Sequence, residues 1–132
     1  MDTGFWYARI DRSDQHYTEV ARQQIRAQII IPIPVITETA HLVRTRCGSE
    51  ELARFSESLA TSSLVFEMPT ASDYLRSAEV LRKYNDQNID FVDACIVAMA
   101  ERLNITTILT VDRRHFSMFR PLHCDSFELL PG

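Results

Sequence analysis

The sequence predicts an α/β fold, an α/β/α sandwich with a central parallel sheet flanked by helices, on three observations. Short β-branched runs alternate with segments of helical periodicity. One helix near the carboxyl end is apolar nearly all round, and no repeat, low-complexity tract or Gly/Pro/Ser linker divides the 132 residues. Strands that alternate with helices pair in parallel and are covered on both faces. A helix apolar on every side belongs at the centre of a protein. The length suits one domain, residues 1–132, large enough to bury a core without disulfides or a structural metal.

The elements can be justified in order. Gly4 to Ile10 reads as a helix behind Asp2. Ser13 or Asp14 can cap a helix running to about Ala27, with Tyr17, Val20, Ala21 and Ile25 as its apolar stripe. Gln28 to Ile33 is a short β-branched run stopped by Pro32 and Pro34, a brief buried or edge strand. Val35 to Arg46 looks helical and ends at Gly48, a natural C-terminal residue. Ser49 opens the next helix with Glu50 and Glu51 in its first turn, where the helix dipole favours anions. Ser63 to Met68 alternates as a second strand closed by Pro69. Thr70 or Ser72 caps a helix through about Tyr84, and Asn85 to Asn88 is a polar break. Asp90 starts the apolar helix Phe91 to Leu103. Thr106 to Val111 is the best strand in the chain, and a last short strand lies at Phe127 to Leu130.

Composition excludes several classes. Hydrophobic content of 45% with 24% charged residues is that of a globular protein. No apolar run approaches the roughly 18 to 20 residues of a membrane-spanning helix. No export signal is visible at the start, so the expected compartment is the cytosol. Cys47, Cys95 and Cys124 stand far apart without Cys-x-x-Cys spacing or paired histidines, which argues against a zinc site. The net charge of −4 does not advertise a nucleic-acid binder. The cations are almost all Arg, with Lys83 the one lysine; guanidinium forks suit phosphate, although an Arg-preferring codon usage accounts for the same bias.

The chemistry points to acids. In open α/β sheets, sites form beyond the carboxyl ends of the strands. Asp112 directly follows the Thr106–Val111 strand, and Asp2 opens the chain ahead of a helix. Glu38 follows the Gln28–Ile33 strand by a few residues. Asp93 falls in the first turn of the apolar helix, on the face shared with Ile96, Val97 and Ala100. A buried, unpaired carboxylate is costly, so it needs a cation, hydrogen bonds or a proton. Each acid also has a plain structural reading: Asp90 and Asp93 as a capping pair, Asp112 as a turn residue, Glu38 as a solvated helix residue.

The stretch from Asp93 to Leu103, followed by Thr107 to Asp112 and on to Phe116, closely resembles the C-terminal half of PIN domains, especially the bacterial VapC-type toxins. Asp2-Thr3-Gly4 resembles the family's first motif, and Ile36-Thr37-Glu38 its second. The resemblance covers essentially the whole chain and implies a PIN-like sandwich. It makes Asp2, Glu38, Asp93 and Asp112 the metal-binding and catalytic acids, with Asp90, Thr3 and Thr110 as a second tier. His115 and Phe116 belong to the turn after the last Asp and read mainly as structural. The cofactor it implies is Mg²⁺ or Mn²⁺. Clustered carboxylates recruit such hard cations, which bind phosphate oxygens, lower the pKa of water and neutralise developing charge. An unligated acid can accept the water's proton.

The implied activity is an endoribonuclease that leaves a 5′-phosphate and a 3′-hydroxyl, held inactive by a cognate antitoxin and paired as a homodimer. Two alternatives stay open: a PIN nuclease in RNA processing outside toxin–antitoxin systems, and a catalytically silent PIN module that binds RNA or protein. Arg9, Arg12, Arg113 and Arg114 are candidate phosphate contacts because they neighbour the acids in sequence. Relatives carry several residues ahead of the first Asp, forming a central strand. Here Met1 alone precedes it, so that strand is expected to be truncated or its gap closed by a neighbouring element.

Overall fold

The computed structural model describes all residues, Met1–Gly132. In chain order its elements are α1 (Thr3–Ile10), α2 (Tyr17–Ala21), β1 (Ile30–Pro32), α3 (Ile33–Cys47), α4 (Ser49–Ala60), β2 (Val65–Glu67), α5 (Ala71–Lys83), α6 (Phe91–Arg102), β3 (Thr107–Leu109), α7 (Arg113–Met118) and β4 (Glu128–Leu130). β1 pairs with β2 and β3 with β4, both in parallel, with Ile31 opposite Phe66 and Ile108 opposite Leu129.

The α/β class and the parallel pairing agree with the sequence reading, but the sheet is divided into two pairs of strands. Met1 and Asp2 stand between them. The amino group of Met1 donates to the Ile30 carbonyl at 3.1 Å, and the Asp2 amide donates to the Leu109 carbonyl at 2.9 Å. Bonding alternately to either side is what a central strand does. Two residues are too few to build a ladder, so the halves remain separate.

Helix boundaries follow their caps. Pro34 sits in the first turn of α3, where its missing N–H is harmless, and Gly48 ends that helix at φ 93°. Thr70 and Asp73 form a full capping box on α5, and Asp90 and Asp93 form another on α6. The helix expected from Ser13 to Ala27 is cut back to Tyr17–Ala21. Val20 is its one buried residue, and Ile25 only borders the small cluster of Phe5, Ala8, Val20 and Leu109. With no wall for a second turn to pack against, the chain extends toward β1 instead. The turn expected after Asp112 is a six-residue helix, α7.

α6 is the centre of the molecule, with every residue from Ala94 to Ala100 buried. Burying each of Ile96, Val97 and Met99 contributes roughly 1.5–3 kcal/mol, and a charge at Val97 would break that packing. α5 lies along α6, while α3 packs on α4 and α1. Trp6 meets Phe55 with ring centroids 5.1 Å apart, fastening α1 to α4. Phe116, Phe119 and Tyr84 pack edge to face beneath α7. The three cysteines are free, and no helix is long and apolar enough to cross a membrane.

Candidate active site

Three helix N-termini bring the aspartates to the carboxyl ends of the strands. Asp2 caps α1, with one carboxylate oxygen accepting from the Phe5 amide at 2.9 Å. Its other oxygen accepts from the buried Thr110 hydroxyl, the residue that follows β3. Asp112 caps α7 and accepts from the His115 amide at 3.1 Å. Asp93 occupies the third position of α6, where the Asp90 amide donates to it at 3.4 Å while Asp90 accepts from the Asp93 amide at 2.9 Å. The turn chemistry that makes aspartate a good cap thus places three carboxylates within electrostatic reach of one another.

Their electrostatics show the closeness. Asp93 is pushed up to about 7, first by burial, then by the charge of Asp90, with Asp112 and Asp2 adding to the rise. Asp2 is pushed up to about 6, mainly by burial; the Thr110 and Phe5 hydrogen bonds oppose the rise, and Asp112 reinforces it. Neighbouring like charges disfavour ionisation, and the Met1 amino group beside Asp2 offsets the rise only in part.

Glu38 stands outside that coupled trio. It lines a groove of about 610 Å³ with Ile33, Pro34, His41, Phe91 and Val92, so it borders α6 one residue before Asp93. Asp90 is exposed at the rim. Thr3 is buried with its hydroxyl unpartnered, as is Thr39, so an orphaned hydroxyl lies next in sequence to both Asp2 and Glu38. Arg113 donates to the Pro131 carbonyl, which commits it to a structural contact, while Arg114 is exposed. Arg9 and Arg12 are exposed at the far end of α1 from Asp2, not beside the acids.

His115 has more to do with the acids than its sequence position suggested. Its Nδ1 lies 2.7 Å from Asp112, and its Nε2 lies 2.8 Å from the Gln87 carbonyl. Both partners are acceptors, so only the doubly protonated ring satisfies both. The Asp112 hydrogen bond accordingly holds its pKa above the ordinary value. The three-residue spacing at a helix start was the available signal.

The donor set fits a hard divalent cation in kind: it is anionic and all oxygen. No three acidic, histidine or cysteine side chains are gathered closely enough to enclose an ion.

The model of the PIN domain family matches residues 1–119. The chain belongs to the PIN domain family. Ribonuclease VapC26 of Mycobacterium tuberculosis is 34% identical over 135 residues, covering 99% of this PIN domain and 98% of the relative. Among solved structures, Mycobacterium tuberculosis VapC20, a sarcin-ricin loop cleaving toxin, superposes with a TM-score of 0.74. That match is at 24% identity over 80% of this chain and 83% of the other, and it bears on the fold.

Proposed function

We propose that this PIN domain is a metal-dependent endoribonuclease, the toxin of a VapBC-type pair, acting on RNA in the cytosol. The observation that carries it is the set of three aspartates at neighbouring helix starts, Asp93 being raised by burial and by the charges of Asp90, Asp112 and Asp2. The near-full-length likeness to a VapC ribonuclease supports the same reading. Asp2, Asp93 and Asp112, with Glu38 from the adjoining groove, would hold Mg²⁺ or Mn²⁺. Such an ion supplies charge neutralisation at phosphate and a water of lowered pKa.

The chain's own residues do the rest. Thr110 and the Phe5 amide orient Asp2, and His115 and its own backbone amide orient Asp112. An acid of this set left unligated by the ion would take the proton of the attacking water. Asp90 fixes Asp93 through the capping box. Arg114, exposed beside Asp112, is the best placed of the four arginines for a phosphate. A cognate antitoxin would cover the acids. A homodimer would use the exposed apolar side chains of Met68, Tyr74, Leu75 and Phe91, since a surface of that kind is rarely left open.

The test is labelled total RNA incubated with purified protein and Mg²⁺ or Mn²⁺. Cleavage that stops with EDTA and with Asp93→Asn supports the proposal, and undiminished cleavage by that variant rejects the site. A protein that binds RNA but never cuts it, with either metal, would favour the silent module instead.

A further inference from the structure

Asp93 and Asp112 stand on helices with different packing partners, α6 chiefly on α5 and α7 on β4. The charge of Asp112 nonetheless reaches Asp93 and adds to the rise of its pKa, so the two carboxylates act on each other. Between the helices that carry them lies the connection from α5 to α6, residues 84–90.

That connection is tied to the α7 region at two points. The His115 Nε2 lies 2.8 Å from the Gln87 carbonyl, while Nδ1 of the same ring lies 2.7 Å from Asp112. The Tyr84 hydroxyl accepts from the Arg120 amide at 3.0 Å, and its ring meets Phe119 edge to face with centroids 5.1 Å apart. From Gln87 the path to the acids is short and well fixed. The Gln87 amide closes a turn on the Tyr84 carbonyl at 3.0 Å, and Asn88 takes the left-handed conformation at φ 56°. Asparagine adopts that conformation more readily than most residues. Asp90 then caps α6 and accepts from the Asp93 amide.

We propose that His115 is a positioning residue for a pair of acids: its ring bridges Asp112 to the Gln87 carbonyl and so sets the separation of Asp112 from Asp93, with Tyr84 as a second tie. The inference rests on the nuclease reading and deepens it, because the spacing serves the divalent ion that the acids would hold. An imidazole has no torsion between its two nitrogens. Both contacts together therefore leave the start of α7 and the 84–90 connection little freedom to part. A side chain that makes only one of them orients a neighbour but leaves the spacing free. Partners that orient metal ligands in this way typically change metal affinity or activity by about 10–100-fold.

The test compares His115→Asn, His115→Gln and His115→Ala with the parent chain. Asparagine sets its amide nitrogen near the place of Nδ1 and can keep the Asp112 contact. Glutamine sets it near the place of Nε2 and can keep the Gln87 contact. A bridge needs both, so all three variants should bind Mn²⁺ about tenfold or more weakly by titration calorimetry. In the metal-free protein, amide exchange at Gln87 and Asp93 should quicken about threefold or more in each variant, and Tyr84→Phe should act in the same direction. In RNA cleavage kcat should fall while KM stays within about twofold. Parental Mn²⁺ affinity in His115→Asn would reduce His115 to a partner of Asp112 alone and overturn the bridge. Unchanged exchange at Gln87 and Asp93 in all the variants would overturn it too. A parent chain that neither binds Mn²⁺ nor cuts RNA overturns the nuclease reading instead, and the exchange comparison, made without metal or RNA, still decides the bridge.

Discussion

Replacing Asp93 by Asn should make the metal-free protein more stable while removing its activity. Asp93 titrates at about 7 rather than at its ordinary 3.8. Such a carboxyl, once ionised, carries about 4 kcal/mol of unfavourable free energy relative to the unfolded chain. An Asn side chain keeps an oxygen for the Asp90 amide and carries no charge. The expected gain at pH 8 is about 2–4 kcal/mol, or at least about 5 °C in Tm.

The pH dependence sharpens this prediction. An acid whose folded pKa is raised binds more protons folded than unfolded, so stability falls as pH rises between its two pKa values. For Asp93 that window runs from 3.8 to about 7, and for Asp2 from 3.8 to about 6. The Met1 amino group, lowered from 8.0 to about 6, acts oppositely and returns some stability between those values. In EDTA the wild-type protein should therefore lose stability from about pH 4 to pH 6, and the advantage of Asp93→Asn should vanish near pH 4. Circular-dichroism melts across pH check it. A variant no more stable than wild type at pH 8, or an advantage that persists unchanged at pH 4, would refute the reasoning.

Mg²⁺ or Mn²⁺ at pH 8 should raise the wild-type Tm by mass action and leave Asp93→Asn much less affected, as read by the same melts. A Cβ added at Gly4 meets the Val111 side chain at 2.8 Å, so Gly4→Ala should cost about 1–3 kcal/mol, and Val111→Ala in the same chain should restore most of it. Arg102 reaches the buried Asp73 at 2.9 Å. Arg102→Met strands that carboxylate and should cost about 2–4 kcal/mol in urea unfolding, with Asp73→Asn recovering part of the loss. His115→Ala should lower nuclease turnover through a misplaced Asp112 more than it alters RNA binding. The raised His115 pKa contributes stability that is fully present below 6.5 and lost as pH rises through the folded value, so the stability cost of His115→Ala should shrink above neutrality.

Much of the fold was legible because it is written in local rules. Gly48, Thr70 and Asp90 mark helix ends by cap chemistry that depends on a few neighbouring residues, and each appears where that chemistry puts it. The all-apolar run of α6 could only be central. What failed depended on distant partners. The stripe of Tyr17, Val20, Ala21 and Ile25 is periodic enough for a longer helix, yet the tertiary surface it needed is absent beyond Val20. The division of the sheet was foreshadowed by the shortness of the chain ahead of Asp2, but periodicity carries no information on which strand edges meet. Within the site, Asp2, Asp93 and Asp112 come together while Glu38 lies in the next groove, and the role of His115 depended on the Gln87 carbonyl, 28 residues away in sequence.

The capping reading of these aspartates and the functional one describe the same geometry. Asp2, Asp112 and Asp93 each take a backbone amide at a helix start, the place where peptide dipoles favour an anion. That local attraction is how a protein can hold three acids near one another without dispersing them. It is not enough to neutralise them, because Asp2 and Asp93 both remain elevated despite their amide donors. The caps therefore set positions and leave net negative charge unspent. A cation is the agent that such a balance lacks, since it can relieve repulsion among all three acids at once, whereas a proton relieves only the carboxyl that binds it. The same accounting explains why an amide at position 93 should retain the helix start and still abolish metal-dependent chemistry: the hydrogen bond is local, and the charge belongs to the group.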